Sequence, residues 1–401
     1  MQRTLKVADR AKVSAFEVMN ILDRVAQLRA AGRDVISLCA GEPSDGAPSA
    51  VSQRAAQIHA NGLPLTYTPA LGIRELREAI AAHYKRWYDI EVSADNVAVT
   101  TGSSGAFLLM FLSAFNAGDK VALARPGYPA YANILRTLGV EVIELNAGPE
   151  SRYQPTVELL EAAQLEHGEL DGLMLASPAN PTGTMASGEE LEALTTWCKA
   201  QGVRLISDEI YHGIDYPEEG TETRRSVSAW ELDTDTVVIS SFSKYWGMTG
   251  WRLGWALVPD DMLATVDALA GNVALCAPAP AQYAALAAFT DDAYLEAEVR
   301  VAEFARTRAA VLNSIDRLGW GEYAPADGAF YLYADLGGKL GSHANSAAYC
   351  AALLEAEGVA IVPGNDFDHV KGDTHVRLSF AAGYEAVTEA IERIVRFQGD
   401  A

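Results

Sequence analysis

Residues 172–213, GLMLASPANPTGTMASGEELEALTTWCKAQGVRLISDEIYHG, contain one full repeat of the unit from which the fold is read. Gly172–Ala176 (GLMLA) is a short apolar run closed by a break rich in Pro, Ser and Gly. GEELEALTTWCKAQG then has the apolar spacing of a helix, and Val203–Ser207 (VRLIS) is a second apolar run that ends in DEIYHG. A run that is apolar at consecutive residues has both faces covered. Such strands alternating with helices predict an α/β fold, a parallel sheet with helices on both faces. The pattern continues outward in both directions. Val97–Thr101 (VAVTT) enters GSSG and the apolar helix AFLLMFLSAF, Lys120–Ala124 (KVALA) enters RPGYPAY, Gly139–Leu145 (GVEVIEL) follows the next helix, and Thr236–Ser240 (TVVIS) enters SFSKYWG. The breaks lie at the carboxyl ends of the strands, where open α/β sheets bind their ligands. Beyond residue 290 a long helical stretch precedes short strands in AFYLYADL, GVAIVPG and HVRLSF, which predicts a smaller α+β domain. The expected division is 46–290 for the large domain and 291–401 for the small one, with segment 1–45 packing on the latter.

With 401 residues, 49% of them hydrophobic and 21% charged, the chain is long enough for two or three packed domains and is not a disordered one. Its 31 basic against 53 acidic residues give a net charge of −22, which repels nucleic acid and anionic membranes. No apolar run reaches the roughly 18 residues of a membrane span, and the N-terminus has no signal-like core. Cys39, Cys198, Cys276 and Cys350 are widely separated, so reduced thiols in a cytoplasmic protein are expected. Without HExxH or CxxC patterns, no protein-bound metal is predicted.

The chemistry concentrates in SSFSKYWGMTGWRLGW, residues 240–255. A lysine is ordinarily exposed, but Lys244 follows a buried strand and is framed by Ser241, Phe242, Ser243, Trp246 and glycines. Desolvation there lowers proton affinity and makes the amine a nucleophile of the Schiff-base kind. Arg252 is close enough to hold an anion nearby, though it also fits an ordinary salt bridge. Asp208 at the end of VRLIS and Tyr211 after it read, taken alone, as a turn former and a packing ring. Asn180-Pro181 is a turn signal, and TTGSSG either caps a helix or holds a phosphate on backbone amides. It is neither a GxGxxG nor a Walker A loop. Together the set offers a phosphate cradle, a carboxylate, hydrogen-bond donors and a lysine, which are the requirements of pyridoxal 5′-phosphate.

SPANPTGT, SDEIY and SFSKYWGMTGWRLGW, in this order and spacing, resemble the class I/II aminotransferases, the fold-type I pyridoxal-phosphate enzymes of the aspartate aminotransferase superfamily. The resemblance runs from AGEPSDGAP to HVRLSF. It implies a large domain with a mostly parallel seven-stranded sheet, a small α+β domain, and ping-pong transamination from an L-amino acid to a 2-oxo acid. It implies that Lys244 joins the cofactor aldehyde and carries the Cα proton, and that Asp208 pairs with the pyridine nitrogen. The resemblance further implies that Asn180 and Tyr211 donate to the ring oxygen and that Tyr128 of RPGYPAY stacks on the ring. It implies that Ser103, Ser104, Ser241, Ser243 and Arg252 hold the phosphate, as does Tyr67 reaching across a homodimer, and that Arg377 grips the substrate α-carboxylate beside Gly41, with Asn180 also at the substrate.

Where some aspartate-using relatives have GGKQ or GAKQ, this chain has GSSG, with Ser104 and Gly105 at the Lys-Gln positions. Phe16, Tyr67 and Trp246 hint at a neutral or aromatic substrate side chain, but such rings are more often packing residues. A β-lyase or aminocyclopropane-carboxylate synthase-like enzyme on the same scaffold is the alternative, since the cofactor set does not choose the bond broken. A regulatory domain fused to a DNA-binding module is disfavoured by the acidic charge and the short N-terminal extension, and a nucleotide-binding Rossmann domain by the missing glycine fingerprint.

Overall fold

The continuous apolar runs are buried strands because neither face meets water, except GVEVIEL, which forms an edge strand of alternating burial. The computed structural model describes residues 5–13, 16–216 and 226–399. Its main sheet is built from β1 (Val97–Thr100), β2 (Lys120–Arg125), β3 (Glu141–Asn146), β4 (Gly172–Ala176), β5 (Arg204–Asp208), β6 (Val237–Ser241) and β7 (Gly254–Leu257). The spatial order is β1-β7-β6-β5-β4-β2-β3, with β7 antiparallel to both neighbours and the other pairs parallel. The quoted stretch gives β4, the helix Gly188–Gln201 and β5. That helix starts where Ser187 and Glu190 exchange side-chain and backbone hydrogen bonds, a capping box that satisfies two otherwise orphaned amides. The runs read from the sequence as strands are all strands, displaced by a residue or two at their ends.

One strand was not read from its residues. Gly254–Leu257 (GWAL) forms β7, inserted between β1 and β6 and reversing the chain direction. It follows the lysine segment so closely that its apolar residues merge with that motif.

The second part of the chain pairs β8 (Tyr331–Asp335), β9 (Val362–Pro363) and β10 (His375–Ser379) in the antiparallel order β9-β10-β8. The helices Asp291–Asn313, Ser346–Glu357 and Tyr384–Gly399 accompany it. The N-terminal segment joins this part at several points. Ile36–Ser37 pairs with Val359–Ala360, Arg393 bonds Asp34, and the Asp366 carboxylate accepts the Glu17 and Val18 amides at the start of the helix Glu17–Ala30. Ile21, Val25 and Leu28 of that helix pack with Leu354, Val362 and Phe367. The carboxyl ends of β4, β5 and β6 and the face of β10 bearing Arg377 border one cavity.

Candidate active site

The cavity, about 580 Å³, is bordered by the ends of the parallel strands, the helix Gly102–Ala114, β8, β10 and residues Val18 and Leu22 of the N-terminal helix. Lys244 sits on its floor, three residues past β6, and Nζ donates to the Gly41 carbonyl at 2.5 Å. Burial pushes this amine down to about 8; the nearby Glu42 and Asp208 carboxylates oppose the shift. An amine so placed is partly unprotonated near neutrality, as a nucleophile must be.

Asp208 ends β5, next to β6 in the sheet, so the strand register carries carboxylate and lysine toward one site. It is 2% exposed, and burial pushes its carboxyl up to about 7 against the donors that hold it. Those donors are the Ile210 amide at 3.1 Å and the Tyr131 hydroxyl. Tyr211 is buried with its ring 5.6 Å from Lys244 Nζ.

Arg377 is 5% exposed on β10. Its Nη1 donates to Asn180 Oδ1 and its Nη2 to the Cys39 carbonyl, each at 2.8 Å, while Nε has no hydrogen-bond partner among the described residues. The guanidinium lies over the rings of Tyr331 and Phe367, at 4.6 and 4.7 Å. A buried cation with unspent N–H groups facing a cavity is arranged for an anion. Because the Asn180 oxygen is taken by Arg377, its amide N–H groups are left to donate.

At the far side, Gly102 opens the helix Gly102–Ala114 with φ +66°, and a Cβ there would stand 2.6 Å from an Arg252 guanidinium nitrogen. The left-handed backbone favours glycine here, and any larger residue would also have to push the Arg252 guanidinium aside. The turn brings Ser103, Ser104, Ser243 and Arg252 to the same wall, with the helix N-terminus behind them, a setting for a phosphate. Arg252 Nη1 meanwhile donates to the Thr249 carbonyl at 2.8 Å. Ser241 is fully buried and does not border the cavity; its hydroxyl donates to the Leu253 carbonyl and, with its one proton so used, accepts from the Ser243 hydroxyl.

The structure thus gathers Gly41, Ser103, Ser104, Tyr128, Asn180, Tyr211, Ser243, Lys244, Arg252 and Arg377 around one space, with Asp208 behind its wall on the lining residues Tyr131 and Ile210. Tyr67 is elsewhere, 81% exposed. Trp246 does not border the cavity and is a packing residue, the commoner role of such a ring. Lys244 faces the cavity, so Tyr245 and Trp246 turn the other way, and Trp246 is buried against His83, Trp87 and Trp255 with Nε1 donating to the Ala288 carbonyl. Phe16 stacks on Tyr128 with ring centroids 6.4 Å apart and borders a neighbouring cleft rather than this cavity. Two residues went unread: Tyr131, on Asp208, and Tyr331, on Tyr211 and beneath Arg377. The spacing YPAY, which puts Tyr131 three residues after Tyr128, was the one available signal.

The donor set fits pyridoxal phosphate: an amine lowered to about 8, a buried carboxylate, a glycine-made cradle beside an arginine, and Arg377 bordering the cavity with one N–H on each Nη left for a carboxylate. Known proteins agree with the geometry. Residues 33–394 match the family of aminotransferase class I and II. A valine–pyruvate aminotransferase of Mycobacterium tuberculosis is 48% identical over 98% of both chains, and an aspartate aminotransferase of Streptomyces avermitilis is 33% identical over 97% of this chain and 95% of its own. A solved aminotransferase from Mycobacterium tuberculosis superposes with a TM-score of 0.94 at 47% identity, covering 99% of this chain and all of its own. The chain belongs to the class I/II aminotransferases, a pyridoxal-phosphate-dependent family of fold type I. It is a transaminase, moving an amino group between amino and 2-oxo acids. No helix among the described residues is long and apolar enough to cross a membrane.

Proposed function

We propose that this chain holds pyridoxal 5′-phosphate on Lys244 and, as a cytoplasmic homodimer, transfers the amino group of a neutral aliphatic L-amino acid to a 2-oxo acid such as pyruvate. The observation that carries the reading is the lysine, a desolvated amine lowered to about 8 that shares its cavity with an under-bonded Arg377. When bound, the cofactor supplies an aldehyde to receive an amine and a ring that accepts the electron pair left at Cα. Lys244 holds the cofactor and, once displaced, takes and returns the Cα proton. Asp208 keeps the ring nitrogen protonated, Asn180 and Tyr211 donate to the ring oxygen, and Tyr128 covers the ring. The Ser103 and Ser104 amides, Ser243 and Arg252 hold the phosphate, with Ser241 supporting Ser243. Arg377 has N–H groups to spare for the substrate α-carboxylate, and Gly41 leaves room for it.

Tyr67 supports the dimer, because an aromatic ring 81% exposed on one chain is available to the site of a second copy. The free, mostly buried cysteines fit a reducing compartment. The contacts of the N-terminal segment with the β8–β10 part support dividing the chain as 46–290 against 291–401 together with 1–45.

The side-chain preference rests on the cavity wall and on the relative at 48% identity. Val18 and Leu22 give the wall an apolar stretch. The cavity's cations are Lys244, Arg252 and Arg377, each with a role already, and Ser104 and Gly105 add none. A second substrate carboxylate would be desolvated without a partner. With pyruvate as acceptor, L-valine should give alanine with kcat/KM at least about tenfold above L-aspartate. The opposite order would reject the preference while leaving the transaminase intact.

A further inference from the structure

Tyr331 opens β8 opposite Ser379 of β10, and Tyr333 is opposite Arg377. This register makes Tyr331 and Arg377 diagonal neighbours on one face of the ladder, which is why the ring lies under the guanidinium at 4.6 Å. Tyr331 is fully buried. Its hydroxyl is 2.8 Å from the Tyr211 hydroxyl, its one hydrogen-bond partner among the described residues, and the two rings meet edge to face with centroids 5.7 Å apart. The backbone closes over this pair at Gly41, where a Cβ would stand 2.8 Å from the same hydroxyl. Tyr331 therefore touches the expected cofactor donor and both expected substrate-carboxylate positions.

A phenol carries one proton and two lone pairs. Two phenols at 2.8 Å share one proton between them and leave the other for a third group. If Tyr211 directs its proton at the ring oxygen of the cofactor, the contact is satisfied only with Tyr331 as donor. We infer that Tyr331 is a positioning residue that donates to Tyr211, aims Tyr211's proton at that oxygen, and so helps set the pH at which the bound cofactor protonates. This rests on the reading of Tyr211 and Lys244 given above. A donor into Tyr211 polarises its O–H and strengthens the onward bond. The charged and titratable groups facing the pair are Lys244, Asp208, Arg377, Glu42, Tyr128 and Tyr131. Replacing Tyr331 by Phe alters none of them and keeps the ring under Arg377.

The test titrates the visible absorption band of the reconstituted holoenzyme with pH in wild type, Tyr331→Phe, Tyr211→Phe and the double variant. Tyr331→Phe should raise the midpoint by about half a unit to one unit, a three- to tenfold change in proton affinity. In the Tyr211→Phe background the same change should leave the midpoint where Tyr211→Phe put it, because the effect passes through Tyr211. Fluorotyrosine at position 331, a more acidic donor in an unchanged fold, should move the midpoint down, and it covers the case in which Tyr331→Phe does not fold. Equal shifts in both backgrounds would overturn the inference. So would an unmoved midpoint with a raised substrate KM, which would put the hydroxyl on the substrate. A wild-type protein that develops no visible band with pyridoxal phosphate would overturn the reading beneath it, and the inference with it.

Discussion

Arg377 and Asp208 are buried charges, and each carries a prediction. Arg377→Ala should raise KM for every amino and oxo acid by about one to two orders of magnitude, since charge-assisted bonds contribute roughly 1.5–3 kcal/mol. Steady-state kinetics with several donors check it, and an unchanged KM would remove the arginine from the carboxylate. Asp208 is raised from 3.8 to about 7 in the folded apoprotein. Between these values the unfolded chain has released the proton that the folded chain keeps. Stability therefore falls as pH rises through this window, and the penalty is complete above it, at most about 4 kcal/mol. Buried Glu209, raised to about 8, adds a term of the same sign. Asp208→Asn should make the apoprotein more stable than wild type in urea at pH 8, with the gap closing toward pH 4, and should weaken cofactor binding. Equal stabilities at both pH values would contradict the burial assigned to this carboxylate. Lys244 was legible because it is a charge in an apolar, small-residue context, whereas Asp208 alone reads as a turn former and Arg377 was reached only through the family resemblance. Tyr131 and Tyr331 were not legible, because a tyrosine in a strand or helix reads as packing until the fold shows what its hydroxyl meets.

Among the elements, the turn from β1 into the helix Gly102–Ala114 is the most constrained. Gly102→Ala would place a Cβ 2.6 Å from Arg252 in a left-handed conformation, displacing the arginine or distorting the turn. Affinity for pyridoxal phosphate should fall about tenfold or more, while affinity for pyridoxal, which lacks the phosphate, changes little. Titration of the apoprotein with both compounds decides it; equal losses would mean the turn does not hold the phosphate. The alternation of continuous apolar runs with helices was enough to read the parallel strands, because burial on both faces leaves no other pattern. It could not reveal β7, whose antiparallel place depends on where the chain goes after the lysine loop. Which role Trp246 has was open for a related reason: the way a loop side chain turns is settled by the packing around it, here the cluster at His83 and Trp87.

In the whole molecule, the proposed use of Tyr67 puts two copies in each functional unit. Lys244→Ala and Tyr67→Ala chains, each deficient alone at limiting cofactor, should recover activity when mixed and refolded. Half of randomly paired dimers are hybrids with one intact site, so about a quarter of wild-type activity is expected. No recovery in confirmed hybrid dimers would mean Tyr67 serves its own chain's site or none. All of this depends on where the cofactor attaches. Borohydride reduction of the holoenzyme followed by peptide mapping tests that directly. A pyridoxyl group is expected on Lys244, within the peptide containing SFSKYWGMTGWR, and on no other lysine. A label on a different residue, or none, would contradict it.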